Sequence, residues 1–268
     1  MKPDAGRPSW LGPGGRWGSV QPEAAGRSAF DVAVATDVGL CRVTNEDSVL
    51  AQRFVRGDET FIGVIVADGV GGEPRGGEAS RLAVESAMEW FVEGAWNRPS
   101  DAGAGAASAA NRSVRGLANN PFERPASTLV IALIQEAKGR VYIANVGDSR
   151  AYVVRGGRAH PVTVDHATEV RLAAGELPGG SEVLRAVLTR AVGMDEGVQA
   201  DLFGPLALRP GEAVLLCTDG LHRVLDDQAI GRLVADQSAD VVVDVLVAAA
   251  NEGGGRDNVA VAFARRVF

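Results

Sequence analysis

Four aspartates in this chain stand at the ends of short apolar runs, each beside glycine or asparagine. Residues 61–67 (FIGVIVA) lead into Asp68-Gly69, 141–146 (VYIANV) into Gly147-Asp148, and 213–218 (AVLLCT) into Asp219-Gly220, while Asp257-Asn258 precedes the last run. Runs of this length, rich in Val and Ile and closed by Asp or Gly, read as β-strands. A carboxylate at such an end points past the sheet edge, and a neighbouring glycine lets other groups approach the backbone. Taken singly, each Asp is ordinary turn chemistry. Brought together, four would repel one another unless protonated or neutralised by bound cations. Hard oxygen ligands favour Mg²⁺ or Mn²⁺, and three histidines with two cysteines offer little to a softer metal, so zinc is disfavoured. A two-metal carboxylate site clamps the attacking and departing oxygens of an in-line displacement at phosphorus.

A further charged cluster lies in 36–48 (TDVGLCRVTNEDS), where Arg42 precedes Glu46 and Asp47. The Arg42 fork suits a phosphate dianion, and the same residues would also serve as a solvated charged turn of little energetic weight.

The periodicity predicts strands over 30–36, 61–67, 127–135, 140–146, 151–155, 213–218 and 259–267, and helices over 78–96, 100–119, 227–235 and 239–252. Ser100 or Asp101 is the expected cap of the second helix. Ser238 is the expected cap of the fourth and Gly253 its stop. Helices that come in two pairs rather than alternating with strands argue against a parallel sheet. The predicted class is α+β: antiparallel sheets covered by helix pairs. Residues 175–190 (GELPGGSEVLRAVLTR) carry little periodicity and are expected to form a mobile flap.

At 268 residues the chain is long enough for one sizeable core. Its net charge of −7 disfavours nucleic acid and anionic membrane as partners, since both require a cationic face. Neither of its lysines, Lys2 and Lys138, lies in a Gly-Lys-Ser/Thr element, which removes the P-loop. Cys41 and Cys217 are expected to be buried free thiols in a reducing compartment. Residues 1–28 hold six Gly and four Pro and are expected to be a disordered leader, with Trp10 and Trp17 as a candidate docking element. With no apolar segment of spanning length and no secretory signal, the expectation is a cytoplasmic protein.

Six segments, TDVGLCRVTNEDS, ADGVGGEPRGGEAS, ASTLV, IANVGDSRAYVVRGG, LLCTDGLHRVLDD and GRDNVAVAF, resemble in this order the motifs of the metal-dependent PP2C (PPM) serine/threonine phosphatases, most closely the compact bacterial members. The likeness spans residues 29–268, the expected catalytic domain. It implies a four-layer α-β-β-α sandwich of two antiparallel sheets flanked by helix pairs. It also implies two Mn²⁺ or Mg²⁺ ions, with Asp68 bridging them, the Gly69 carbonyl on the first, and Asp219 and Asp257 on the second. Asp148 would share a third, weaker ion with Asp219. Glu46 and Asp47 match the acidic pair that orients water, and Arg42 the phosphate-binding arginine; Asn258 follows the metal Asp as in relatives. Hydroxide generated between the two cations would attack phosphorus directly, with no phosphoenzyme.

One position departs from the pattern: some relatives carry a histidine two residues after the bridging Asp, and here that residue is Val70. His166 is then a candidate general acid beside its alternative role at the start of a short helix, while His160 and His222 are read as structural. The implied partners are phosphorylated proteins and a Ser/Thr kinase or its targets, with the phosphatase acting as a monomer. A catalytically silent binding module and a small-molecule phosphoester hydrolase are the alternatives that the same residues leave open.

Overall fold

Both faces of strand 59–68 are covered by apolar side chains, and that explains its unbroken run. The computed structural model describes residues 28–70, 75–120, 122–172 and 183–268. In chain order the elements are β1 (Phe30–Asp37), β2 (Asp47–Arg56), β3 (Glu59–Asp68), α1 (Gly76–Glu93), α2 (Pro99–Arg115), β4 (Leu129–Gln135), β5 (Arg140–Val146), β6 (Arg150–Arg155), β7 (Arg158–Pro161), β8 (Ala167–Leu172), β9 (Val183–Leu188), β10 (Asp201–Ala207), β11 (Ala213–Cys217), α3 (Asp219–His222), α4 (Asp227–Leu233), α5 (Ala239–Glu252) and β12 (Val259–Arg266). One five-stranded sheet has the order β1-β12-β11-β6-β7 and the other β10-β5-β4-β3-β2, all pairings antiparallel, with β8-β9 a separate hairpin.

Alternation along each strand sorts the core into three layers. Ile62, Val64 and Val66 of β3 meet Ala260, Ala262 and Ala264 of β12 between the sheets. The opposite face of β3, with Phe61, Ile65 and Ala67, packs under α1 and α2. Val259, Val261 and Phe263 of β12 pack under α5 with Val242, Val243 and Leu246. Burying each large apolar side chain stabilises by about 1.5–3 kcal/mol. Small residues set the spacing: a Cβ on Gly63 would lie 3.0 Å from Met88, and one on Gly105 would lie 2.4 Å from the Trp90 ring. These are the four predicted layers.

The differences from expectation have local causes. Strand β2 has alternating polar positions on its exposed edge, and β10 contains Gly204 and Pro205; neither reads as a strand by apolar content. Residues 183–188 of the expected flap form β9, paired with β8 directly after His166, where a helix was expected. The rest of that flap, 173–182, lies outside the described residues, as does the leader with Trp10 and Trp17. The second helix starts with Pro99 at its first turn after Arg98, not at Ser100 or Asp101. Ser238 and Gly253 do flank α5, although the Ser238 side chain makes no capping hydrogen bond; the first-turn Ala239 N–H donates to Asp31 Oδ2. Cys217 is buried and Cys41 is exposed, because residues 39–44 form a turn on the surface; both thiols are free. Among the described residues, no helix is long and apolar enough to cross a membrane.

Candidate active site

Antiparallel register carries the aspartates to one end of the sandwich. Asp47 opens β2 opposite Asp68 at the end of β3. Leu129 pairs with Val146, so Gly147-Asp148 emerges beside the start of β4. Cys217 pairs with both Arg150 and Val261, which sets Thr218-Asp219 next to the Ser149 turn and the start of β12. Asp37 pairs with Val259, bringing the 38–46 loop against Asp257 and Asn258.

Buried hydroxyls and one amide fix these ends. The Asp68 N–H donates to Thr128 Oγ1 at 2.9 Å, and that hydroxyl is 2.7 Å from Ser149 Oγ. The Thr218 hydroxyl donates to Asp47 Oδ2 at 2.7 Å and accepts from the Ala260 N–H. Asn258 accepts from the Glu46 N–H and donates to the Val38 and Thr44 carbonyls, and the Gly255 carbonyl accepts from the Leu40 and Cys41 N–H groups. The loop bearing Arg42 and Glu46 is therefore held by the segment leading into β12. Close approach explains two glycines: a Cβ on Gly69 would lie 2.2 Å from the Gly76 carbonyl, and one on Gly220 would lie 2.0 Å from the Asn258 carbonyl.

Electrostatics divide the cluster. Burial pushes Asp47 up to about 8, repulsion from Asp219 and Asp257 adds to it, and the Thr218 hydroxyl opposes it. Asp68 is raised well above the usual carboxylate range, first by burial and then by the charges of Asp47, Asp219, Asp148 and Asp257. Asp219 is pushed up to about 6 by burial, against the pull of Arg223. Asp68 in turn holds both Asp47 and Asp219 down, against the rise that burial causes. On the outside, Arg42 Nη2 is 2.9 Å from Asp257 Oδ2, while Arg223 reaches both Asp148 and Asp219.

An all-oxygen donor set with raised carboxyl groups is chemically suited to hard divalent cations. As the side chains stand, however, no three His, Cys, Asp or Glu among the described residues are arranged to hold a metal ion. The outer acids are paired with arginines instead, Asp257 with Arg42 and both Asp148 and Asp219 with Arg223.

Every site residue named from the sequence lies at this end or in the loop beside it. His166 does not serve as the candidate acid: its Nδ1 accepts from the Gly147 N–H at 3.0 Å and its Nε2 lies 3.1 Å from Asp201 Oδ2. Both ring nitrogens are committed, and the ring is buried. His222 Nε2 donates to the Asp148 carbonyl at 2.9 Å, and burial lowers its pKa. Thr128, Thr218 and Arg223 were not singled out from the sequence. Only Arg223 carried a local signal, four residues after Asp219 at helical spacing.

Fold and site together define a class, a four-layer sandwich with an acidic, arginine-rimmed cluster at one end of its paired sheets. The chain belongs to the protein phosphatase 2C family, whose model matches residues 43–256. It is 31% identical over 242 residues to the protein phosphatase PhpP of Streptococcus pneumoniae, covering 87% of this chain and 96% of that one. It is 30% identical to the serine/threonine phosphatase stp of Listeria welshimeri, covering 86% and 94%. Among solved structures, the PPM Ser-Thr phosphatase MsPP from Mycobacterium smegmatis, in complex with cacodylate, superposes with a TM-score of 0.69 at 31% identity, covering 87% and 97%. The Mycobacterium tuberculosis serine/threonine phosphatase PstP/Ppp gives 0.71 at 26% identity, covering 89% and 99%. This chain is a PPM-type serine/threonine phosphatase, and its substrates are phosphoproteins.

Proposed function

We propose that residues 29–268 form one catalytic unit that hydrolyses phosphoserine and phosphothreonine esters at the acidic cluster, with Asp68, the Gly69 carbonyl, Asp219 and Asp257 holding two Mn²⁺ or Mg²⁺ ions. The carrying observation is the meeting of Asp47, Asp68, Asp148, Asp219 and Asp257 from both sheets at one end. When bound, the ions would supply a hydroxide at neutral pH and share the charge that develops on phosphorus.

The chain's own groups do the positioning. Arg42, on a loop stapled by Asn258, presents a planar fork to the phosphate once Asp257 has released it. Asp47, held by the Thr218 hydroxyl, and Glu46, anchored through its N–H, orient the attacking water. With Val70 two residues after Asp68, and His166 and His222 bound to backbone groups, the leaving oxygen is protonated without a histidine at those positions. The enzyme acts as a cytoplasmic monomer opposing a Ser/Thr kinase.

The test is Mn²⁺-dependent release of phosphate from a phosphothreonine peptide, compared with p-nitrophenyl phosphate and a nucleotide, with and without chelator. A kcat/KM highest for the phosphopeptide and abolished by chelation supports the reading; a nucleotide preference, or chelator-resistant activity, overturns it.

A further inference from the structure

Arg223 touches two of the site carboxylates with separate nitrogens: its Nη1 lies 2.9 Å from Asp219 Oδ2 and its Nη2 lies 3.0 Å from Asp148 Oδ2. The two acids come from chain positions 71 residues apart and are joined by one guanidinium. Both carboxylates are nearly buried, with side chains 8% and 10% exposed, whereas Arg223 is 51% exposed. The guanidinium therefore closes the pair from the solvent side.

The backbone holds it there. Arg223 caps the C-terminus of α3, and its N–H donates to the Asp219 carbonyl at 3.0 Å, so the side chain starts one turn beyond the acid it grips. His222, the preceding residue, donates to the Asp148 carbonyl. The turn bearing Asp148 is thus tied to α3 through its carbonyl by one residue and through its carboxylate by the next. Arg42 on Asp257 is different: a single contact between partners 45% and 36% exposed, readily exchanged.

The Asp148–Asp219 pair is where the family resemblance implies a third, weaker ion. We infer that in this chain Arg223 is a built-in cation at that position, so that the protein holds two divalent ions rather than three. The inference rests on the two-ion reading above. A guanidinium is always charged, presents a fork to two oxygens and cannot diffuse away. An incoming divalent ion would have to break both of its hydrogen bonds while being repelled by its charge. Arg223 is here a positioning residue, acting through Asp148 and Asp219.

The experiment is isothermal titration of the chelator-treated full chain with MnCl₂ into the millimolar range, with bound Mn²⁺ counted independently by electron paramagnetic resonance. Wild type and Arg223→Lys are expected to bind two ions. Arg223→Ala is expected to bind a third, and Arg223→Asp to bind that third ion about tenfold more tightly than Arg223→Ala, because a carboxylate is added to the pair. Three ions in wild type, a result that needs no variant to fold, overturns the assignment. Equal counts of two in wild type, Arg223→Ala and Arg223→Asp, each with the wild-type circular dichroism spectrum, overturn it too and leave the two-ion reading standing. Binding by none of the proteins overturns both.

Discussion

Asp47 and Asp68 come from neighbouring positions of one sheet and face each other with threonine hydroxyls as helpers, whereas Asp148, Asp219 and Asp257 leave strand ends into turns and each touches an arginine. Both inner acids are raised first by burial, Asp68 further by the charge of Asp47 and Asp47 by those of Asp219 and Asp257; the outer acids have charge partners of their own, although burial raises Asp219 too. Proximity alone therefore does not make a metal site. The inner acids have no cationic partner of their own, whereas each outer acid already has an arginine, Arg42 on Asp257 and Arg223 on Asp148 and Asp219.

The largest effect that bears on this contrast is Asp68→Ala, expected to lower kcat/KM on a phosphothreonine peptide by about a thousandfold. In the metal-free protein, Asp68→Asn should raise the melting temperature, since a buried acid under repulsion is removed. A loss of activity smaller than about tenfold would remove the inner pair from the centre of the chemistry. Next is Arg42→Ala, for which we expect a loss of about a hundredfold, mainly in KM, partly recovered by Arg42→Lys because lysine restores charge without the fork. A change confined to kcat would mean that Arg42 does not grip the substrate.

One acid of each group, Asp47 of the inner pair and Asp219 of the outer set, should also be visible in the pH dependence of stability. Asp47 and Asp219 have folded values raised to about 8 and about 6, so between about pH 4 and pH 8 the folded metal-free protein binds more protons than the unfolded chain. Their contribution to stability is full below the unfolded value and is lost as pH rises through the folded ones. Thermal melts in chelator should fall across this window, and Asp47→Asn should flatten the curve; a rising curve would contradict the pairing. The smallest effect is expected at His166. Its removal leaves the Gly147 N–H without its acceptor and costs about 1–3 kcal/mol by denaturant unfolding, with the pH–rate profile unchanged.

Strand and helix content was legible wherever one rule of burial applied along a whole element. Strand β3, covered on both faces, reads as an apolar run, and β12 alternates Ala toward the opposite sheet with Val and Phe toward α5. Two edge strands were not legible, although the edge strand β1 was: β2 and β10 spend alternate positions on solvent, and β10 contains a proline that argues against a strand. His166 looked available because its two partners, Gly147 and Asp201, lie 19 and 35 residues away.

Residue type and strand-end position were enough to pick out the acids, because chain chemistry determines where a strand must stop and which side chain stands there. Which acid receives which cation was settled by sheet register, which brings Arg42 to Asp257 across 215 residues and Arg223 to Asp148 across 75. A Coulomb interaction depends on distance in space, and local sequence carries no measure of that distance.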